Sequence, residues 1–131
     1  MKIPVSTWLF TCSGVFILFV PVTPQALEPD TGIKHIVFCW LYDPGRAEDV
    51  ERVIRTSREL GAIPGVVDIQ AGKALPSDRS IVDDSFDVGV TMTFKNTADM
   101  NNYLAHDEHT SRVNQVLRPL CRRILVYDIA Y

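Results

Sequence analysis

Apolar positions recur every second residue from Phe86 to Phe94, with Phe86, Val88, Val90, Met92 and Phe94 on one face and Asp87, Gly89, Thr91 and Thr93 on the other. A period of two predicts a strand with one buried side. Ile33 to Tyr42 is almost wholly apolar and rich in β-branched and aromatic residues, which predicts a strand buried on both faces. Asp43, Pro44 and Gly45 break it. Ala47, Val50, Val53, Ile54, Ser57 and Leu60 then recur at three-to-four spacing with charges between them, an amphipathic helix that Gly61 is placed to end. Ile63, Pro64 and Gly65 turn the chain into a second strand, Val66 to Leu75, in which Gly72 predicts a bulge or a close backbone approach. Pro76 to Ser85 reads as a polar, acidic loop. After the third strand Asn96 can cap a helix carrying Met100, Tyr103 and Leu104, with Asp99 near the positive end of its dipole. A further helix follows His106-Asp107-Glu108-His109. On it His109, Val113, Val116 and Leu120 form a stripe, so His109 heads an apolar face. Ile124 to Tyr131 predicts the last strand.

The order strand, helix, two strands, helices, strand predicts an α+β, ferredoxin-like β-α-β-β-α-β fold, with a four-stranded antiparallel sheet and helices on one face. The other face is then bare. First and last strands are neighbours in this arrangement, so Ile36, Phe38 and Trp40 join Leu125, Tyr127 and Ile129 in an apolar patch larger than most soluble monomers expose. Sheet-to-sheet dimerisation would cover it.

The beginning of the chain follows a different pattern. Lys2 is the only charge before Glu28, and Trp8 to Val22 is dominated by large apolar side chains. This reads as a secretory signal ending after Ala26, which leaves 27–131 as the mature domain and makes periplasmic or secreted the expected destination. Ile3 to Val22 is also uncharged over 20 residues. An uncleaved membrane anchor is therefore the alternative.

The chain has 131 residues, 47% apolar and 22% charged, enough for one core. A net charge of −3 argues against nucleic acid as a partner. Cys12, Cys39 and Cys121 are too widely spaced for zinc pairs and too few for a disulfide scaffold. In the predicted fold the first strand runs antiparallel to the last, which brings Cys121 near the end of the first strand. A Cys39–Cys121 disulfide and two buried thiols both fit. His106 and His109 lack the HExxH spacing, the acidic run Asp78, Asp83, Asp84 lacks calcium-loop spacing, and there is no glycine-rich phosphate loop or GxSxG. No metal or cofactor is expected.

Several short pieces, in this order, resemble the stress-responsive A/B barrel (Dabb) family. They are Lys34-His35-Ile36-Val37, Ile63-Pro64-Gly65-Val66, Gly72, Phe86-Asp87, Tyr103-Leu104-Ala105-His106 with His109, and Val126-Tyr127-Asp128. The resemblance spans about residues 33 to 131. It implies a homodimeric α/β barrel and a pocket in each subunit between sheet and helices, but no single activity. One branch contains polyketide cyclases, lyases in which a histidine is general base and a tyrosine binds or polarises the substrate. The corresponding residues are His109 and Tyr103, with His35 on the pocket face of strand one and Val37, Cys39, Val88 and Val90 as apolar wall. That branch's third-strand histidine corresponds here to Val88. Two functions follow as expectations: an exported, stress-related module binding a small apolar ligand, or a cofactor-independent enzyme of cyclase or antibiotic-biosynthesis-monooxygenase type using His109. A polar pair sharing one cavity favours the enzyme. A core-filling His109 bonded to backbone favours the module.

Overall fold

A computed structural model describes residues 31–131. The expected signal or anchor, 1–26, lies outside these residues. The elements are β1 (Ile33–Leu41), α1 (Ala47–Glu59), β2 (Val66–Lys73), β3 (Val88–Phe94), α2 (Thr97–Ala105), α3 (Asp107–Arg112) and β4 (Cys121–Ala130). The four strands form one antiparallel sheet in the order β2-β3-β1-β4. This is the α+β ferredoxin-like arrangement. Among the described residues no helix is long and apolar enough to cross a membrane.

The core lies between the sheet and the helices. Val50, Val53 and Ile54 of α1, Met100 and Tyr103 of α2, and Val88, Val90, Met92 and Phe94 of β3 meet there. The alternation read in β3 is what puts its four apolar side chains on the helix side. Asn96 caps α2 as expected, its Oδ1 accepting the N–H of Asp99 at 2.8 Å.

Several local expectations are corrected. Strand β1 is not sealed on both faces, since Ile36, Val37 and Phe38 are only half-buried. Gly61 does not end α1 in a left-handed conformation. The helix tightens into a 3-10 turn, Leu60–Ala62, and Gly61 serves close packing, because a Cβ there would lie 2.5 Å from Ile69 Cγ2. The register shift of β2 falls between Val66 and Asp68, while Gly72 sits opposite Gly89 with open space beside it. Phe86 precedes β3 and folds over Gly89 to the open face, its ring 4.7 Å from that of Phe38.

The helix after His109 also departs from regular spacing. Past α3 the chain makes a wide π turn, Val113–Leu117, and a last short turn, Arg118–Leu120. Pro119 has no N–H to donate to the carbonyl four residues back, and its ring crowds that carbonyl, so the ladder loosens just before it. Leu117 consequently packs against the core, whereas Val116 does not.

On the open face the expected pairing is present: Ile36 stands opposite Tyr127, Phe38 opposite Leu125 and Lys34 opposite Ile129. Trp40 does not belong to the exposed patch. Its Nε1 donates to Ser85 Oγ at 3.0 Å, Phe86 covers its edge, and the Arg123 guanidinium lies 4.4 Å from its ring centre.

Candidate functional site

Between the sheet's inner face and the helices lies a cavity of about 290 Å³ with mostly apolar walls. Alternation along β1 aims His35, Val37 and Cys39 into it, and β3 adds Val90 and Met92. Helix α1 contributes Val53 and Ser57. Helix α2 brings Tyr103, and the irregular helix that follows brings His109, Val113 and Leu117. Leu104, Arg118, Ile124 and Val126 line it too and are solvent-exposed, which places the mouth between the edge strand β4 and that helix. Of the wall positions read from the sequence, Val88 is misplaced. It is fully buried in the core and does not reach the cavity.

Three groups able to handle protons converge here. The Tyr103 and His109 rings are tilted against each other with centroids 4.6 Å apart, and the His35 ring stands 6.3 Å from that of Tyr103. His109 Nδ1 lies 3.1 Å from the Leu104 carbonyl. A carbonyl only accepts, so Nδ1 carries the proton and Nε2 keeps its lone pair while the ring is neutral. Desolvation holds the His109 pKa below the ordinary histidine value; the bond to Leu104 opposes this shift and the electrostatic influence of nearby His35 adds slightly to it. The net effect is a neutral, basic imidazole near pH 7. Burial pushes the Tyr103 hydroxyl well above the usual phenol range, so it stays protonated and can donate.

His35 is held by a partner to which the sequence assigns no role. Its Nδ1 donates to Asp128 Oδ1 at 2.6 Å, across the β1–β4 ladder. The carboxylate thereby sets ring orientation and tautomer, leaving Nε2 for the cavity. His106 acts elsewhere, as the cap of α3, where its Nδ1 accepts the N–H of Glu108 at 3.2 Å. Among the described residues no three His, Cys, Asp or Glu side chains converge as a metal site.

Cys39 and Cys121, both in the cavity wall, are joined by a disulfide, with their Cα atoms 5.7 Å apart. It ties the centre of the sheet to the end of the loosened helix. Arg122 Nε donating to the Leu41 carbonyl at 3.1 Å and Tyr42 N–H donating to the Leu120 carbonyl at 3.0 Å reinforce the same junction.

Residues 33–131 match the sequence profile of the stress responsive A/B barrel domain. No curated protein matches the sequence. Solved structures do resemble it. A Dabb-family protein with a ferredoxin-like fold from Mesorhizobium loti shares 22% identity at a TM-score of 0.63, over 76% of this chain and 95% of that one. A dimeric ferredoxin-like protein of unknown function from Thermobifida fusca shares 20% at 0.63, over 82% and 97%. The hydroxynitrile lyase of Passiflora edulis shares 20% at 0.67, over 79% and 95%. At these identities the likeness is one of fold.

Proposed function

The chain belongs to the stress responsive A/B barrel domain family, and from that premise and the chemistry of its cavity we propose that it is an acid–base enzyme acting, without a bound cofactor, on a small, largely apolar hydroxy or carbonyl compound. The observation that carries this reading is the convergence of His109, Tyr103 and His35 on one apolar cavity. A cavity built only to hold an apolar ligand gains nothing from three polar side chains, since each costs desolvation when the ligand enters.

The roles follow from geometry. His109 Nε2 takes the proton from a substrate hydroxyl, and the O–H electron pair becomes the second bond of a carbonyl. The adjacent carbon–carbon bond breaks, its electron pair leaves with the departing carbanion, and the His109 imidazolium protonates that anion. In the reverse direction the same groups add a carbon acid to a carbonyl. Tyr103 donates a hydrogen bond to the oxygen on which negative charge changes, the kind of aid that is strongest in a dry site. His35, oriented by Asp128, presents Nε2 to the cavity as an acceptor for a second polar group of the substrate.

The Passiflora edulis lyase, whose fold this chain shares, suggests mandelonitrile as the first probe. Release of benzaldehyde from mandelonitrile, or cleavage of simple β-hydroxy ketones, should be lost in His109→Gln and reduced in Tyr103→Phe. If such compounds bind without turnover, and His109→Gln lowers only the melting temperature, the protein is a binding module.

The working unit is proposed to be an exported homodimer that joins through the open sheet face. Tyr127 and Ile129 remain half-exposed on that face, and the Thermobifida fusca structure is described as dimeric. The Cys39–Cys121 bond supports an oxidising compartment, where such bonds persist.

A further inference from the structure

We infer that Arg118 is the recognition point for a carboxylate on the ligand, so that the cavity takes small molecules with an apolar body and an anionic end. The inference rests on the reading above that the cavity holds a small ligand, and adds its charge. Arg118 is the one side chain in the cavity lining that carries a permanent charge.

Its position there depends on the irregular helix. Each residue of an α-helix turns the chain by about 100°. On a regular helix Arg118, nine residues beyond His109, would stand on the opposite side and point to solvent. The π turn Val113–Leu117 adds one residue to a turn. Leu117 therefore takes the place Val116 would have had, and Arg118 takes the place of Leu117, about 80° round from His109 by the same arithmetic and on the rim of the cavity. A turn that costs regular hydrogen bonding thus brings Arg118 to the mouth.

The other arginines of this stretch are engaged elsewhere. Arg112 pairs with Glu59 and Glu108, Arg122 donates to the Leu41 carbonyl, and Arg123 lies over Trp40. Among the described residues no carboxylate comes within ion-pair distance of Arg118. A guanidinium is weakly hydrated and presents a planar fork that matches a carboxylate bidentately, so it suits a half-apolar mouth better than an ammonium would. The anionic end would sit at the rim while the apolar body extends towards Tyr103 and His35.

Two probes that differ only at the head test this: 4-phenylbutanoate and 4-phenylbutan-1-ol, titrated calorimetrically into the purified protein at pH 7.5. The acid should bind about five- to tenfold more tightly, a preference that added salt narrows. Arg118→Gln should abolish the preference by bringing the affinity for the acid down to that for the alcohol, and Arg118→Lys should recover part of it. Equal binding of acid and alcohol to the unaltered protein overturns the assignment without recourse to any variant. A preference that survives Arg118→Gln also overturns it. Failure of both probes to bind at millimolar concentration removes the cavity reading itself, an outcome distinct from equal binding.

Discussion

His35 and Asp128 stand at directly opposed positions of β1 and β4, and Nδ1 of the first donates to Oδ1 of the second at 2.6 Å although 93 residues separate them. The bond joins the cavity to the edge strand, because His35 is buried while the Asp128 side chain is 46% exposed. Asp128→Ala should release the His35 ring and reduce turnover more than it reduces stability. Losing one half-exposed hydrogen bond costs about 1 kcal/mol of folding free energy. The decisive readout is the split between kinetic constants. If Asp128 only braces the edge strand, kcat and KM stay put while the melting temperature falls. Asp128→Asn, which keeps an oxygen acceptor, should restore much of the activity.

The protonation of His109 gives a second test. Its depressed pKa means that the base form persists below the ordinary histidine value of about 6.5. The acid limb of kcat/KM should therefore lie below that value and coincide with the midpoint of the His109 ring in an NMR titration. His35→Gln removes the electrostatic influence of His35, which opposes protonation of His109, so it should move the midpoint upward. The sign for stability is the same. A base whose folded pKa is depressed supports the fold above its unfolded pKa, and this support is lost as pH falls through the folded value. A midpoint above the unperturbed value would contradict a half-buried His109 that is neutral near pH 7.

How much of this can be read in the sequence depends on how local each cause is. The β3 alternation and the Asn96 cap are decided within a few residues, and both are present as expected. Tyr103 and His109 are placed on one site by the resemblance to the Dabb family, to which the residue pattern adds the apolar stripe headed by His109. Asp128 stands in one of the pieces that resemble the family, but its bond to His35 depends on the β1–β4 register, which no local pattern announces. No local pattern marks Arg118 as a residue of the cavity. A 3.6-residue period puts Val116 inside, and the effect of Pro119 on the preceding turn shifts that frame by one residue. Trp40 and Phe86 show a related gap: alternation assigns a face, but not what a neighbouring loop lays over it.

The open sheet face leads to a prediction about assembly. Tyr127 is 52% exposed and faces Ile36 across the ladder, so Tyr127→Asp should cost the isolated subunit little. At a dimer interface the same change would bury an unpaired carboxylate, which costs several kcal/mol in order of magnitude. Light scattering at micromolar concentration should thus show a dimer for the unaltered domain and a folded monomer for Tyr127→Asp. Trp40 is the wrong residue for this test, because Ser85, Phe86 and Arg123 already enclose it within one subunit. A monomeric unaltered domain would leave the apolar face without the proposed cover.

The Cys39–Cys121 disulfide closes a loop with a sequence separation of 82 residues. Cross-links of this kind typically stabilise small domains by about 2–5 kcal/mol, mainly by restricting the unfolded chain. Reduction, or the double change Cys39→Ala with Cys121→Ala, should lower the melting temperature of the domain by roughly 10 °C or more. The bond also holds the Arg118–Leu120 turn against β1, so reduction should weaken ligand binding in the cavity before global unfolding sets in. The controls differ in what they remove. Alanine at both sites deletes the bond and some wall volume, whereas serine at both deletes the bond with nearly the same volume. Equal losses of affinity in the two pairs would assign the effect to the cross-link, and a loss confined to the alanine pair would assign it to packing. Thiol titration of the denatured, unreduced full-length chain should detect Cys12 alone, and detection of all three thiols would rule the bond out.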